Sequence, residues 1–291
     1  MQIKWRHAPH ILAALFFIAV QSTTQQDARA QNTAPAKQEY TPQVGQEGKD
    51  VIWVPTPHEL VERMLEMADV KSTDYVVDLG SGDGRTVIAA AKRGAQALGI
   101  EYNPDMVELA KRNAAKEGVT ARAKFIKADI FETDFSQATV VTMYLLPTLN
   151  VKLRPTILGM KPGTRVVSHA FSMGDWPPDR TESVEGRQAY LWIVPAKVAG
   201  TWRVDSGRRK FELVLRQKFQ TLDGTANIDG KVTPIRATLL GDQLSFSITA
   251  AGTGNRQSDF VGHVNSDTIE GTWKSPGSSA EQGWIARRAD N

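Results

Sequence analysis

Apolar and polar positions divide the chain into blocks of different period. Across residues 51–195, short apolar runs alternate with helical patterns. The runs predict strands at Tyr75–Leu79, Ala95–Ile100, Ala123–Ala128, Thr139–Tyr144, Thr164–His169 and Ala189–Val194. The segments between the early ones predict helices at 57–68, 84–93 and 104–117. This alternation predicts a parallel sheet covered on both faces, an α/β domain. Helix starts are marked: Thr56-Pro57-His58-Glu59 reads as a capping box with proline at the first helical position, and Asn103-Pro104 opens the third helix in a similar way. From about residue 200 the period becomes two. Phe211, Leu213, Leu215 and Phe219 are apolar at odd positions, and Leu244, Phe246 and Ile248 alternate likewise. Asp223-Gly224, Asp229-Gly230 and Gly241-Asp242 read as the turns between such runs. Gly200-Thr201-Trp202 returns as Gly271-Thr272-Trp273, a faint echo. These features predict an all-β meander or small barrel over 199–291, after a domain over 51–198.

The first 50 residues fit neither pattern. Lys4 and Arg6 precede the apolar run Ile11–Val20, and Ala28-Arg29-Ala30 follows. A basic start, an apolar run of about ten residues and a small-x-small site predict an export signal cleaved after Ala30. Such a run is too short to span a bilayer as a helix. The expected location is therefore outside the cytosol, in the periplasm. Residues 31–50 lack periodicity and read as a flexible leader. Composition adds bounds. The chain has 291 residues, 41% hydrophobic and 23% charged, with net charge +3 and no cysteine. Most of that charge lies in residues 1–30, so a nucleic-acid partner is not expected. Disulfides, thiolate metal sites and a cysteine nucleophile are excluded, and neither His58 nor His263 has metal-ligand spacing.

Candidate chemistry concentrates at the strand ends. Tyr75-Val76-Val77-Asp78-Leu79 runs into Gly80-Ser81-Gly82-Asp83-Gly84. Open α/β sheets bind ligands at the carboxyl ends of their strands. A dinucleotide loop has G-x-G-x-x-G, but here Arg85 stands at the third glycine's place and Asp78 and Asp83 would repel a pyrophosphate. A ligand bearing a sulfonium and an ammonium, and no phosphate, has no such conflict; that ligand is S-adenosylmethionine. Glu101 ends the second predicted strand, where an acid accepts from ribose hydroxyls. Asp129 follows the third, where an acid can take an adenine amino group, with Ile130 beside the ring. Asp83 reads as loop-structuring or as an acid at a helix N-terminus. A glycine triplet alone is equally a tight turn; the ordered acids favour the cofactor.

"VVDLGSGDG", "GIEYNP" and "FIKADIFE" resemble the three cofactor motifs of class I, seven-stranded S-adenosylmethionine-dependent methyltransferases. The resemblance covers roughly 51–195. Within the class, "VPTPHELVERMLEMADV" and "MYLLPTLN" look most like the lysine methyltransferases similar to the ATP synthase c-subunit enzyme. It implies a Rossmann-like sheet of order 3-2-1-4-5-7-6 with strand seven antiparallel. It also implies a cofactor site of Thr56, Asp78, Gly80, Ser81, Gly82, Gly84, Glu101, Tyr102, Asp129 and Ile130, with the segment at Thr56 closing over the methionine end.

The acceptor side belongs to the fourth strand. Many amine methyltransferases carry an Asn/Asp-Pro-Pro-aromatic segment there. This chain has Tyr144-Leu145-Leu146-Pro147, with no Asn or Asp between 140 and 149; Asn150 follows late. Tyr144 and Pro147 are the candidates for lining the transfer site, Tyr144 for positioning the acceptor, and His169 is a candidate substrate contact. The function expected is methyl transfer to a protein lysine. A small-molecule acceptor, and an exported protein that binds the cofactor without turnover, stand as alternatives; the β module could alternatively join an envelope partner.

Overall fold

The computed structural model describes residues 40–207, 209–249, 257–274, 277 and 279–289. The expected signal segment and the leader up to residue 39 lie outside them. Seven strands form the first sheet: β1 (Tyr75–Leu79), β2 (Gln96–Glu101), β3 (Ala123–Lys127), β4 (Val140–Met143), β5 (Arg165–His169), β6 (Arg180–Val184) and β7 (Arg187–Ile193). Their order is β3-β2-β1-β4-β5-β7-β6. The first five run parallel, and β7 is antiparallel to both β5 and β6. This is the seven-stranded Rossmann-like sheet that the resemblance implies. β4 is buried throughout, because both of its faces are covered.

Four helices accompany the sheet: α1 (His58–Met67), α2 (Arg85–Lys92), α3 (Pro104–Lys116) and α4 (Pro147–Leu158). In α1, Leu60, Val61, Met64 and Leu65 recur at helical spacing and are all buried. Asn103 caps α3, accepting from the amide of Asp105. Thr56 does not cap α1: Pro57 is the cap residue and no side chain bonds the first turn. Two elements escape the sequence pattern. Pro155 lies inside α4 and reads as a breaker. β6 is an edge strand of sequence Arg-Thr-Glu-Ser-Val with no buried residue to mark it.

Residues 194–199 lead into a closed antiparallel barrel of eight strands: β8 (Gly200–Asp205), β9 (Lys210–Lys218), β10 (Thr221–Ile228), β11 (Lys231–Leu240), β12 (Gln243–Thr249), β13 (Gln257–Asn265), β14 (Thr268–Lys274) and β15 (Glu281–Arg288). Eight strands leave an interior just wide enough for side chains to fill. Trp202, Phe246, Phe260, Trp273 and Trp284 fill it, with the Phe246 and Phe260 rings parallel at 4.6 Å and Trp284 edge-on to Phe246 at 5.4 Å. Both tryptophans of the repeated Gly-Thr-Trp thus point into this core. Two expected turns are present, at Asp229-Gly230 and Gly241-Asp242, but Asp223-Gly224 lies inside β10. A Cβ on Gly224 would come 2.4 Å from the Val214 carbonyl, so close strand packing selects this glycine. The turn between β9 and β10 is Phe219-Gln220, and Phe219 packs outside the barrel against the hydrophobic core of the first sheet. Among the described residues, no helix is long and apolar enough to cross a membrane.

Candidate functional site

The carboxyl ends of β1 to β4 open into a cleft of about 700 Å3. Its floor holds Asp78, Gly80, Ser81, Gly82, Glu101, Tyr102, Asp129 and Ile130; Tyr144 stands at one side and Gln46–Thr56 crosses as a strap. The aperiodic residues 46–50 therefore carry no secondary-structure pattern yet line the cleft. A backbone bridge between Glu47 and Ile52 shapes the strap, and Trp53 seats it on the glycine loop. A Cβ on Gly82, whose φ is +53°, would come 2.7 Å from Trp53 Nε1.

Gly84 does not line the cleft. It caps α2 with φ +84°, and an added Cβ would meet the Phe125 ring at 2.7 Å and Ala110 at 2.8 Å. Its role is packing. Ser81 lines the cleft, with its hydroxyl turned toward Gly99, where a Cβ would lie 2.5 Å away. Asp83 is the loop-structuring acid: its carboxylate takes Arg85 Nε at 3.0 and 3.2 Å, and Arg85 Nη1 donates to the Thr56 carbonyl at 2.7 Å. The glycine loop and the end of the strap are thereby tied together.

The acids of the floor differ in their partners. The Glu101 oxygens accept from the amides of Gly82 and Asn103, each at 2.9 Å. A carboxylate has about four acceptor sites, so capacity remains for hydroxyl donors. Asp129 accepts from the Phe131 amide at 2.9 Å and pairs with the Lys49 ammonium of the strap. The Lys49 bond and then that amide hold its carboxyl below the usual range. Lys49 also lies 4.7 Å from the centre of the Tyr102 ring. Asp78 is buried and receives one short bond, from the Thr142 hydroxyl at 2.6 Å. Burial, and then the charges of Glu101 and Asp83, push its carboxyl up to about 7, against the Thr142 bond. A buried carboxyl in that state, with acids as its charged neighbours, fits a ligand that brings positive charge.

The other end of the cleft is apolar and aromatic. Tyr144, Leu145, Leu146, Leu149 and Phe171 line it. The Tyr144 and Phe171 rings stack with centres 6.0 Å apart. Pro147 starts α4 behind Leu146 and does not line the cleft. His169 does not line it either. It is 3% exposed, its ring centre 3.7 Å from that of Tyr144, with Nδ1 3.1 Å from the Thr56 hydroxyl. Burial, and then the charge of Arg187, lower its imidazole to about 4, so it stays neutral. Asn150 is fully buried, and its amide donates to the carbonyls of Phe171 and Ser172, each at 3.2 Å. It holds the segment that carries Phe171. Trp53, Arg85 and Phe171 have no motif of their own; only the folded chain brings them here.

Comparison with known proteins bears on this geometry. The model of the ANTKMT methyltransferase domain matches residues 78–180, and a DNA methylase model matches residues 22–112. A protein-lysine N-methyltransferase of Saccharolobus islandicus is 46% identical over 151 residues, covering 50% of this chain and 94% of that protein. The ATP synthase c-subunit lysine N-methyltransferase of Rattus norvegicus is 36% identical, covering 47% of this chain and 65% of that enzyme. A solved structure of an RNA methyltransferase from Salinibacter ruber, in complex with S-adenosyl-L-homocysteine, is 53% identical over 50% of this chain and 96% of its own, with a TM-score of 0.49. The chain belongs to the family of S-adenosylmethionine-dependent methyltransferases that includes the archaeal protein-lysine N-methyltransferase.

Proposed function

We propose that this methyltransferase acts on the side-chain amine of a lysine in a protein acceptor. The observation that carries the reading is the contrast between the two ends of the cleft. One end has Asp78, Glu101 and Asp129; the other has Tyr144, Leu146, Leu149 and Phe171 and no acid. S-adenosylmethionine supplies an electrophilic methyl group on a positively charged sulfur. Asp78 offers its carboxylate to that ligand's positive end, Glu101 accepts from the ribose hydroxyls, and Asp129 accepts from the adenine amino group once Lys49 yields the oxygen it holds.

The residues of the apolar end serve the acceptor. A lysine amine has an unperturbed pKa of about 10.4 and attacks only when neutral. An apolar pocket disfavours the ammonium by desolvation, and no carboxylate in the Tyr144–Leu149 segment opposes this. Tyr144 and Phe171 orient the acceptor, and the strap excludes water. No general base within the wall is needed, since the proton leaves to solvent before transfer.

The reading extends to location. The pattern of Lys4, Arg6, Ile11–Val20 and Ala28-Arg29-Ala30 supports export, release of the signal after Ala30 and an acceptor in the cell envelope. Amino-terminal sequencing of protein from a periplasmic fraction tests it, with Gln31 as the expected first residue. Function is tested by calorimetric titration with S-adenosylmethionine, then by incubation with cell-envelope extract and mass spectrometry. Methyl-lysine in an acceptor protein is expected. Binding without any methylated product would instead support a cofactor-binding protein without turnover, and a methylated small molecule would redirect the acceptor.

A further inference from the structure

The barrel lies outside the family motifs, yet one of its turns reaches the acceptor wall. β9 and β10 are joined by two residues, Phe219 and Gln220. Phe219 has φ +55°, and Gln220 is not in the positive-φ region. Positive φ at the first central position alone is the type II′ pattern, in which glycine is the favoured residue there. A phenylalanine at that point carries backbone strain, and such strain persists where the surroundings over-determine it. The surroundings here belong to the methyltransferase domain. The Phe219 ring stacks on Trp176 with centres 5.8 Å apart and planes at 18°, and the Arg154 guanidinium lies 5.4 Å from its centre. Gln220 accepts from Trp176 Nε1 at 2.9 Å and donates to the Pro177 carbonyl at 2.7 Å. Lys218 pairs with Asp175 at 3.1 Å.

The segment they grip is the one that presents Phe171. Trp176 and Met173 are fully buried and bridged to one another. Asn150 and the Ser168 hydroxyl bond the Phe171 carbonyl from the other side. Ala170, just before Phe171, itself has φ +63°. A strained turn from the barrel thus meets a strained segment of the catalytic domain, and side chains of both hold it.

We propose that the β9–β10 turn is a positioning element for methyl transfer: Phe219 and Gln220 fix residues 171–176 and so set the aromatic wall of the acceptor site. The claim rests on the reading of the Tyr144–Phe171 end as that site. The barrel is then a structural part of acceptor recognition, and Phe219 acts through Phe171 without touching the acceptor.

The test uses the full chain with Phe219→Gly and Gln220→Ala. Glycine relieves the turn strain while removing the ring, so the barrel is expected to keep its fold. Hydrogen exchange is read by mass spectrometry. Amides of 171–176 are expected to exchange at least tenfold faster in Phe219→Gly, with those of Gly80–Gly84 and of β12–β14 unchanged. Methyl transfer is read with poly-L-lysine as acceptor: kcat/KM falls at least fivefold through KM, and the dissociation constant for S-adenosylmethionine is unchanged. Unaltered exchange at 171–176 overturns the proposal whatever the activity, and so does faster exchange with unaltered kcat/KM. If the wild-type protein transfers nothing to poly-L-lysine, the lysine reading of the site fails while the exchange result still decides whether the turn holds the wall. Should β12–β14 lose protection in Phe219→Gly, Gln220→Ala, which leaves the Phe219 ring in place and removes the bonds to Trp176, Pro177 and Asp179, gives the decision by the same readings.

Discussion

Replacing Asp78 by asparagine should make the ligand-free protein more stable and a poorer binder of S-adenosylmethionine. Asp78 is buried at the end of β1, and its carboxyl is raised from 3.8 to about 7, first by burial and then by Glu101 and Asp83. In the unfolded chain the acid loses its proton near 3.8; in the folded chain it keeps it to about 7. Between those values the folded state binds more protons, so this group lowers stability as pH rises through the window. At about 1.36 kcal/mol per pKa unit, the gap amounts to a ceiling of about 4 kcal/mol above pH 7. Asparagine keeps an oxygen for the Thr142 hydroxyl but must bury its own amide, so a gain of about 2 kcal/mol is the expectation. That corresponds to about 4–8 °C in Tm for a chain of this size.

The assay is thermal unfolding of both proteins from pH 4 to pH 8, with calorimetric titration of S-adenosylmethionine at each pH. Because the amide cost does not vary with pH, Asp78→Asn should be less stable than wild type by about 1–2 kcal/mol near pH 4, equal to it at about pH 5.5 and more stable by about 2 kcal/mol at pH 8. Wild-type affinity should weaken as pH falls below 7, by at most about tenfold per pH unit, because the protonated acid no longer attracts the cation. The affinity of Asp78→Asn should be at least about tenfold weaker at pH 8 and nearly flat with pH. An Asp78→Asn protein no more stable than wild type at pH 8, or a wild-type affinity unchanged between pH 8 and 5.5, would refute the argument that this acid is held ready for a cationic ligand.

Three further outcomes are expected. Glu101→Ala removes the acceptor of the Gly82 and Asn103 amides and the predicted ribose ligand, so S-adenosylmethionine affinity measured by calorimetry falls at least about tenfold. Gly84→Ala forces a Cβ against Phe125 and Ala110 at positive φ and destabilises the fold by about 2–4 kcal/mol in urea unfolding. His169 is held near 4, below its ordinary 6.5, so its contribution to stability is complete above 6.5 and is lost as pH falls toward 4, by up to about 3 kcal/mol. Asp78 acts in the opposite sense over that window, so the loss shows most clearly when the Asp78→Asn protein is titrated.

That the acids meet at one end of the cleft was legible because the information is local. Each acid sits at the end of a short apolar run, and a parallel sheet carries the run ends to one edge. The barrel was legible for a similar reason, since alternation along one strand needs no knowledge of its neighbours. What the chain concealed depends on tertiary contact. Thr56 has the spacing of a cap, but His169 takes its hydroxyl across 113 positions of sequence. Pro155 reads as a helix end, yet α4 continues through it to Leu158. Residues 46–50 carry no period because the strap follows the cleft rather than a helix or sheet. Asp223-Gly224 has the better turn sequence, and Phe219-Gln220 makes the turn because Trp176 and Pro177 hold it there.

That division has a chemical sense. Binding the donor requires a few acids at fixed places, and strand ends supply them within some fifty residues of chain, from Asp78 to Asp129. Methyl transfer asks little further of reactive side chains, so what remains is the shape and dryness of the acceptor wall. That wall draws on Tyr144 after β4, Leu149 in α4 and Phe171 after β5, and the segment of Phe171 is held by a barrel turn some fifty residues further along the chain. Its parts come together only when both the sheet and the barrel have formed. On the proposed reading, a substitution in the barrel is expected to alter acceptor use without touching donor binding, whereas one at Asp78 or Glu101 is expected to act on the donor first.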